Sequence, residues 1–193
     1  MEELNYFKEG WRHIISLDAL DHQLFILVLA ALYTIRDWKP VLILITAFTI
    51  GHSITLALST LNIITVPTSL VEFLIPCTII ITAVANFFTK DFNPKRVRWN
   101  YFLALFFGLI HGLGFANTLR FMLARDESLA WSLLQFNLGL EAGQVVVVLV
   151  ILLLAYLFIY VLKFNRRYWV WLLSAAGFVV ALKLAIERVG ELG

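Results

Sequence analysis

Six long apolar stretches separated by short charged connections narrow the fold of this chain more than any other feature. Residues 21–36, 40–62, 70–89, 99–123, 129–163 and 168–186 each come near the ~20 residues that a helix needs to cross a ~30 Å hydrocarbon core. The first is short unless the turn carrying Asp18 extends it, and the fifth is long enough that it must tilt, protrude or break. Hydrophobic residues make up 61% of the 193 and charged residues 15%, proportions that exclude a soluble domain of this size. The expected fold is all-α: a polytopic membrane helix bundle of about six transmembrane helices in a single domain.

Ahead of the first span, residues 1–20 interleave Phe7, Trp11, Ile14, Ile15 and Leu17 with Lys8, Glu9, Arg12, His13, Ser16 and Asp18, a pattern that suits an interfacial helix. Glu2 and Glu3 stand where a cleaved leader would carry basic residues, so none is expected. A net charge of +2 is too small and too scattered for nucleic acid. Lys and Arg are read instead as topology signals. Arg36, Lys39, Lys90, Lys95, Arg96, Arg98, Lys163, Arg166 and Arg167 cluster on one side, which by the positive-inside rule is cytoplasmic and leaves both termini outside. Trp38, Trp99 and Trp169 at the inner boundary and Trp11 and Trp131 near the outer one agree with this.

With the spans oriented, polar residues acquire depths. His52 and His111 each lie twelve residues into an outward-running span, and Glu141 twelve into an inward-running one, so all three reach ~18 Å, past mid-membrane. Asp18, Asp21, His22 and Glu72 are shallower on the same outer side. On a helix Asp18, Asp21 and His22 share one face, at a spacing that lets two or three side chains hold one cation. Thr49, His52, Thr55 and Ser59 form a polar stripe on the second span, and Asn137, Glu141 and Gln144 another on the fifth; with Ser53 they are candidate cavity-lining residues. Gly108 and Gly112 flank His111 at small-xxx-small spacing, as Gly139 and Gly143 flank Glu141, so neighbouring helices can approach closely there.

Taken singly, most of these residues have a plain structural reading: Thr and Ser bond their own backbone, Asn137 and Gln144 join helices, and acids near the interface are solvated or cap a helix. Convergence at one depth, and a carboxylate as deep as Glu141, favour a site. Cys77 is the only cysteine, so a metal would rest on imidazole and carboxylate, a donor set suited to first-row transition metals.

The stretches 10–14 (GWRHI), 21–25 (DHQLF), 48–56 (FTIGHSITL), 71–76 (VEFLIP), 107–116 (FGLIHGLGFA) and 136–144 (FNLGLEAGQ) resemble the HupE/UreJ family of hydrogenase and urease accessory membrane proteins. The resemblance covers nearly the whole chain. It implies binding or movement of nickel, or cobalt in some members, with His13, Asp21, His22, His52, His111, Glu72 and Glu141 as the implicated residues. The expectation is a nickel or cobalt permease or metal accessory protein of the bacterial cytoplasmic membrane, its cofactor or cargo a transition-metal ion, nickel or zinc foremost. Expected partners are the metal ion and the bilayer, with a homo-oligomer and metalloenzyme maturation proteins also admitted. The alternative is an intramembrane metal-dependent hydrolase that takes a lipid or peptide from the outer leaflet, with Glu141 or Glu72 as general base.

Overall fold

The structure is a computed structural model and describes residues 5–16, 19–90, 92, 98–123 and 128–191. Among the described residues seven α-helices follow one another: α1 (Tyr6–Ile15), α2 (Leu20–Ala30), α3 (Trp38–Thr60), α4 (Thr68–Phe88), α5 (Arg98–Leu123), α6 (Leu129–Tyr156) and α7 (Arg166–Val189). No strand occurs among the described residues.

Local chemistry sets several boundaries. Asn5 and Asn165 cap α1 and α7 by accepting from the amides of Lys8 and Arg167. Thr34 and Asp37 cap each other ahead of α3. Asn62 and Lys163, at φ 58° and 56°, take the left-handed conformation that turns the chain off after a helix. The long fifth run does not break; α6 continues through a widened last turn to Val161, 33 helical residues in all. At ~1.5 Å per residue that is ~50 Å, so it must tilt or protrude.

Among the described residues, four helical segments are long and apolar enough to cross a bilayer: Ile35–Thr60, Thr68–Phe88, Leu129–Val161 and Arg166–Val189. The chain is an integral membrane protein. The expected six crossings are not reached on length and composition alone. Within α5 the apolar stretch is Asn100–Ala116, and α1 and α2 form a pair bent by 66°. The expected first span divides, since α2 covers only eleven residues.

Two close helix approaches build the bundle. Along α3 and α5, a Cβ on Gly51, Gly108 or Gly112 would strike the backbone carbonyl of Leu105, Phe48 or His52. Along α1 and α6, a Cβ on Gly10 or Gly139 would strike that of Phe136 or Phe7. Glycine alone permits both contacts. The second draws α1 against α6, burying Tyr6, Gly10 and Ile14. The larger hydrophobic cluster of the core is built on Phe25, Phe48, Leu44 and Ile79. Asn86 ties α4 to α2 and α7, donating to Val28 O at 2.8 Å and Ser174 Oγ at 3.0 Å.

Candidate metal centre

All four histidines meet, each from a different helix: His13 from α1, His22 from α2, His52 from α3 and His111 from α5. Ring centroids lie 4.9 Å apart for His13 and His22, 5.7 Å for His22 and His52, and 4.8 Å for His22 and His111. The glycine contacts explain the meeting. Gly112, next to His111, lies against the His52 carbonyl, and Gly10, three residues before His13, lies against α6. Without them two helix axes would stand farther apart and carry the imidazoles with them.

Hydrogen bonds fix two ring orientations. His22 Nδ1 lies 3.0 Å from Asp21 Oδ1, an acceptor, so Nδ1 carries the proton and Nε2 keeps its lone pair. That Nε2 is buried with no hydrogen-bond partner. Thr78 Oγ1 donates its one proton to Ile75 O at 2.7 Å, so it must accept from His111 Nε2, 3.1 Å away. The His111 Nδ1 lone pair is then also buried and unpartnered. His52 is fully buried, and neither of its ring nitrogens has a partner. His13 Nε2 is a fifth nitrogen in the same condition.

Buried polar atoms are normally paired, and one orphaned donor or acceptor costs about 1–3 kcal/mol. Five imidazole nitrogens among these four clustered rings are buried without a partner, which gives the cluster lone pairs to offer a metal ion. One ligand atom from each of His13, His22 and His52 lies within 4.8 Å of the other two. A point equidistant from three atoms at that spacing is about 2.8 Å from each, so ring shifts of less than about 1 Å give the 2.0–2.1 Å of a metal–imidazole bond. The donor set fits a first-row transition ion. Asp21 supplies what ligating histidines usually have, a carboxylate on the other ring nitrogen. Phe25, Phe48, Phe115 and Phe136 pack around the imidazoles and keep the surroundings apolar, with Phe115 4.1 Å from His13 between centroids.

The remaining candidates divide. Asp18 lies outside the described residues. His111 stands beside the triad, without joining the set within 4.8 Å. Glu141 is not in that set either; its Oε1 accepts from Thr46 Oγ1 at 2.7 Å in a cleft between α3 and α6 that Thr49, Ser53 and Asn137 also line. Gln144 accepts from Thr49 Oγ1 at 2.7 Å. Glu72 is not in that set; its backbone carbonyl, to which Pro76 four residues on has no N–H to give, accepts from Arg188 Nη1 at 2.6 Å.

Sequence reasoning passed over Thr78, Thr46 and Arg188. A threonine in a membrane helix is usually spent on its own backbone, and no spacing rule pairs α4 with α5 or α7. Pro76 was the one available signal, since a proline inside a span leaves a carbonyl in need of a donor.

No curated protein and no solved structure matches the chain. The family model described as HupE / UreJ protein matches residues 1–188, and the chain belongs to that family.

Proposed function

We propose that this protein binds a divalent transition-metal ion, nickel or cobalt as the family implies, at His13, His22 and His52, and hands it on as a permease or accessory protein. One observation carries the reading: the fully buried imidazole of His52, with both nitrogens unpartnered, stands among two other histidines whose ligand atoms lie within 4.8 Å. His111, with its free Nδ1 beside His22, is the neighbouring ligand to which an ion would pass. In this reading the chain crosses the bacterial cytoplasmic membrane six times with both termini outside, α2 making the first crossing and α1 lying on the outer side, where positive charge is sparse.

Elemental analysis of the purified protein after metal loading and desalting tests it. About one equivalent per chain is expected for the wild type and none for His52→Ala or His22→Ala. Equal metal in all three would end the proposal.

A second reading, an intramembrane metal-dependent hydrolase, draws support from a different observation. Three imidazoles leave a fourth coordination position open, and the inward side is closed by the buried Phe25, Phe48 and Phe107 rather than by polar groups. Metal-dependent uptake into proteoliposomes supports the permease. Metal-dependent turnover of a lipid or peptide substrate without uptake supports the hydrolase.

A further inference from the structure

A second polar feature lies apart from the histidines, in the cleft between α3 and α6. The cleft has a volume of about 260 Å³ and is lined by Thr46, Thr49 and Ser53 from α3, Asn137 and Glu141 from α6, and a rim of Ile50, Ile54, Leu134 and Leu138. The rim side chains are about half exposed, so they face lipid. The two helices run antiparallel, and the seven-residue rise from Leu134 to Glu141 makes a furrow ~10 Å long. Leu134 and Ile54 stand near the Leu129 and Thr60 ends of their helices, and Glu141 lies deeper, about 18 Å along α6.

What the floor offers is oxygen lone pairs. Thr46 Oγ1 donates to Glu141 Oε1, Thr49 Oγ1 to Gln144 Oε1, and Ser53 Oγ to Thr49 O, each at 2.7 Å, so all three hydroxyl protons are committed. Asn137 turns its amide nitrogen to Leu133 O at 2.9 Å and leaves Oδ1 buried with no partner. No Lys, Arg or His is among the lining residues. A carboxylate, an orphaned amide oxygen and hydroxyl oxygens together form an acceptor-rich pocket, the reverse of the nitrogen-rich imidazole site.

We propose that this furrow is a site for a hard monovalent cation, held by Glu141 and Asn137 Oδ1 with the oxygens of Thr46, Thr49 and Ser53 around them. Charge selects the class. One carboxylate and one monovalent ion leave no charge uncompensated in hydrocarbon. Oxygen donors disfavour the softer ions that imidazole prefers. The site goes beyond the metal-binding reading and does not require it.

Sodium is the probe. Thermal unfolding of the chelator-treated protein in detergent is followed as sodium chloride replaces choline chloride at constant ionic strength and pH, together with binding of radioactive sodium. Wild type is expected to bind sodium saturably and to gain in Tm with occupancy. Glu141→Gln and, separately, Asn137→Leu should weaken sodium binding by about tenfold or more. His52→Leu should leave it unchanged. The two variants guard against a loss that merely reports misfolding, and each must retain the wild-type stoichiometry of metal at the histidines, or whatever smaller stoichiometry the wild type shows. Equal stabilisation by sodium and choline, sodium binding that survives both variants, or a stability that follows pH alone would overturn the proposal. Failure of the histidines to bind metal, with sodium binding intact, would overturn the other reading and leave this one standing.

Discussion

The Asp21 carboxylate holds His22 twice through one oxygen, accepting from the backbone amide at 2.8 Å and from ring Nδ1 at 3.0 Å. Adjacent residues on a helix point about 100° apart, so this contact depends on the start of α2, where the first-turn amides are not used within the helix. Its effect is to aim His22 Nε2 at the other imidazoles. Replacing Asp21 with Ala should weaken metal binding about 10–100-fold while His22 itself is untouched. Competition against a chromogenic chelator measures this, and unchanged affinity would show that Asp21 does not set the ring.

His52 predicts an unusual sign. Its imidazole is buried with a proton that no acceptor receives, so the metal-free protein carries a penalty of about 1–3 kcal/mol at that residue. His52→Leu replaces it with an apolar side chain of similar size. The metal-free Tm of the variant should equal or exceed that of the wild type, while the rise in Tm on adding nickel or cobalt should vanish. A variant that unfolds earlier without metal and still responds to it would contradict the assignment.

The glycines predict a contrast within one helix. At Gly112 a Cβ meets the His52 carbonyl and Thr55 Oγ1, and a backbone carbonyl cannot move aside without parting α3 from α5. Gly112→Ala should cost about 1–3 kcal/mol and lower metal affinity with it. At Gly114 the nearest atom is the terminal methyl of Ile75 at 3.0 Å, which can rotate away. Gly114→Ala should change stability by no more than about 0.5 kcal/mol. Chemical or thermal unfolding in detergent, read beside metal titration, separates the two.

Arg188 and Pro76 form a testable pair. Arg188→Ala leaves the Glu72 carbonyl with neither the helix amide that proline lacks nor the guanidinium, a loss of about 1–3 kcal/mol. Pro76→Ala restores an amide that can bond the same carbonyl. Removal of Arg188 in the Pro76→Ala background should therefore cost less by about 1 kcal/mol. A strictly additive cycle would mean that the Arg188 contact does not serve that carbonyl.

The helical class, the membrane setting and the family were legible without coordinates, because each rests on local quantities: apolar run length, charge spacing and ordered motifs. Depth arithmetic read His52, His111 and Glu141 to about one level, but Glu141 meets Thr46, six residues or ~9 Å along α3 from His52. It could not separate them. Rise along an axis says nothing of rotation about it, and α3 presents His52 to the imidazoles while it presents Thr46, Thr49 and Ser53 to the cleft with Glu141.

What the sequence settled by itself is that this chain must bury its backbone in helices within a bilayer, since hydrocarbon tolerates no other arrangement of unpaired amides. The tertiary structure alone decided which of the polar residues share a site. Helix packing, set by the contacts at Gly10, Gly51, Gly108, Gly112 and Gly139, brings four distant segments within a few ångströms, and ring orientation follows from partners such as Asp21 and Thr78. Those contacts join residues far apart in the chain, and no periodicity encodes them.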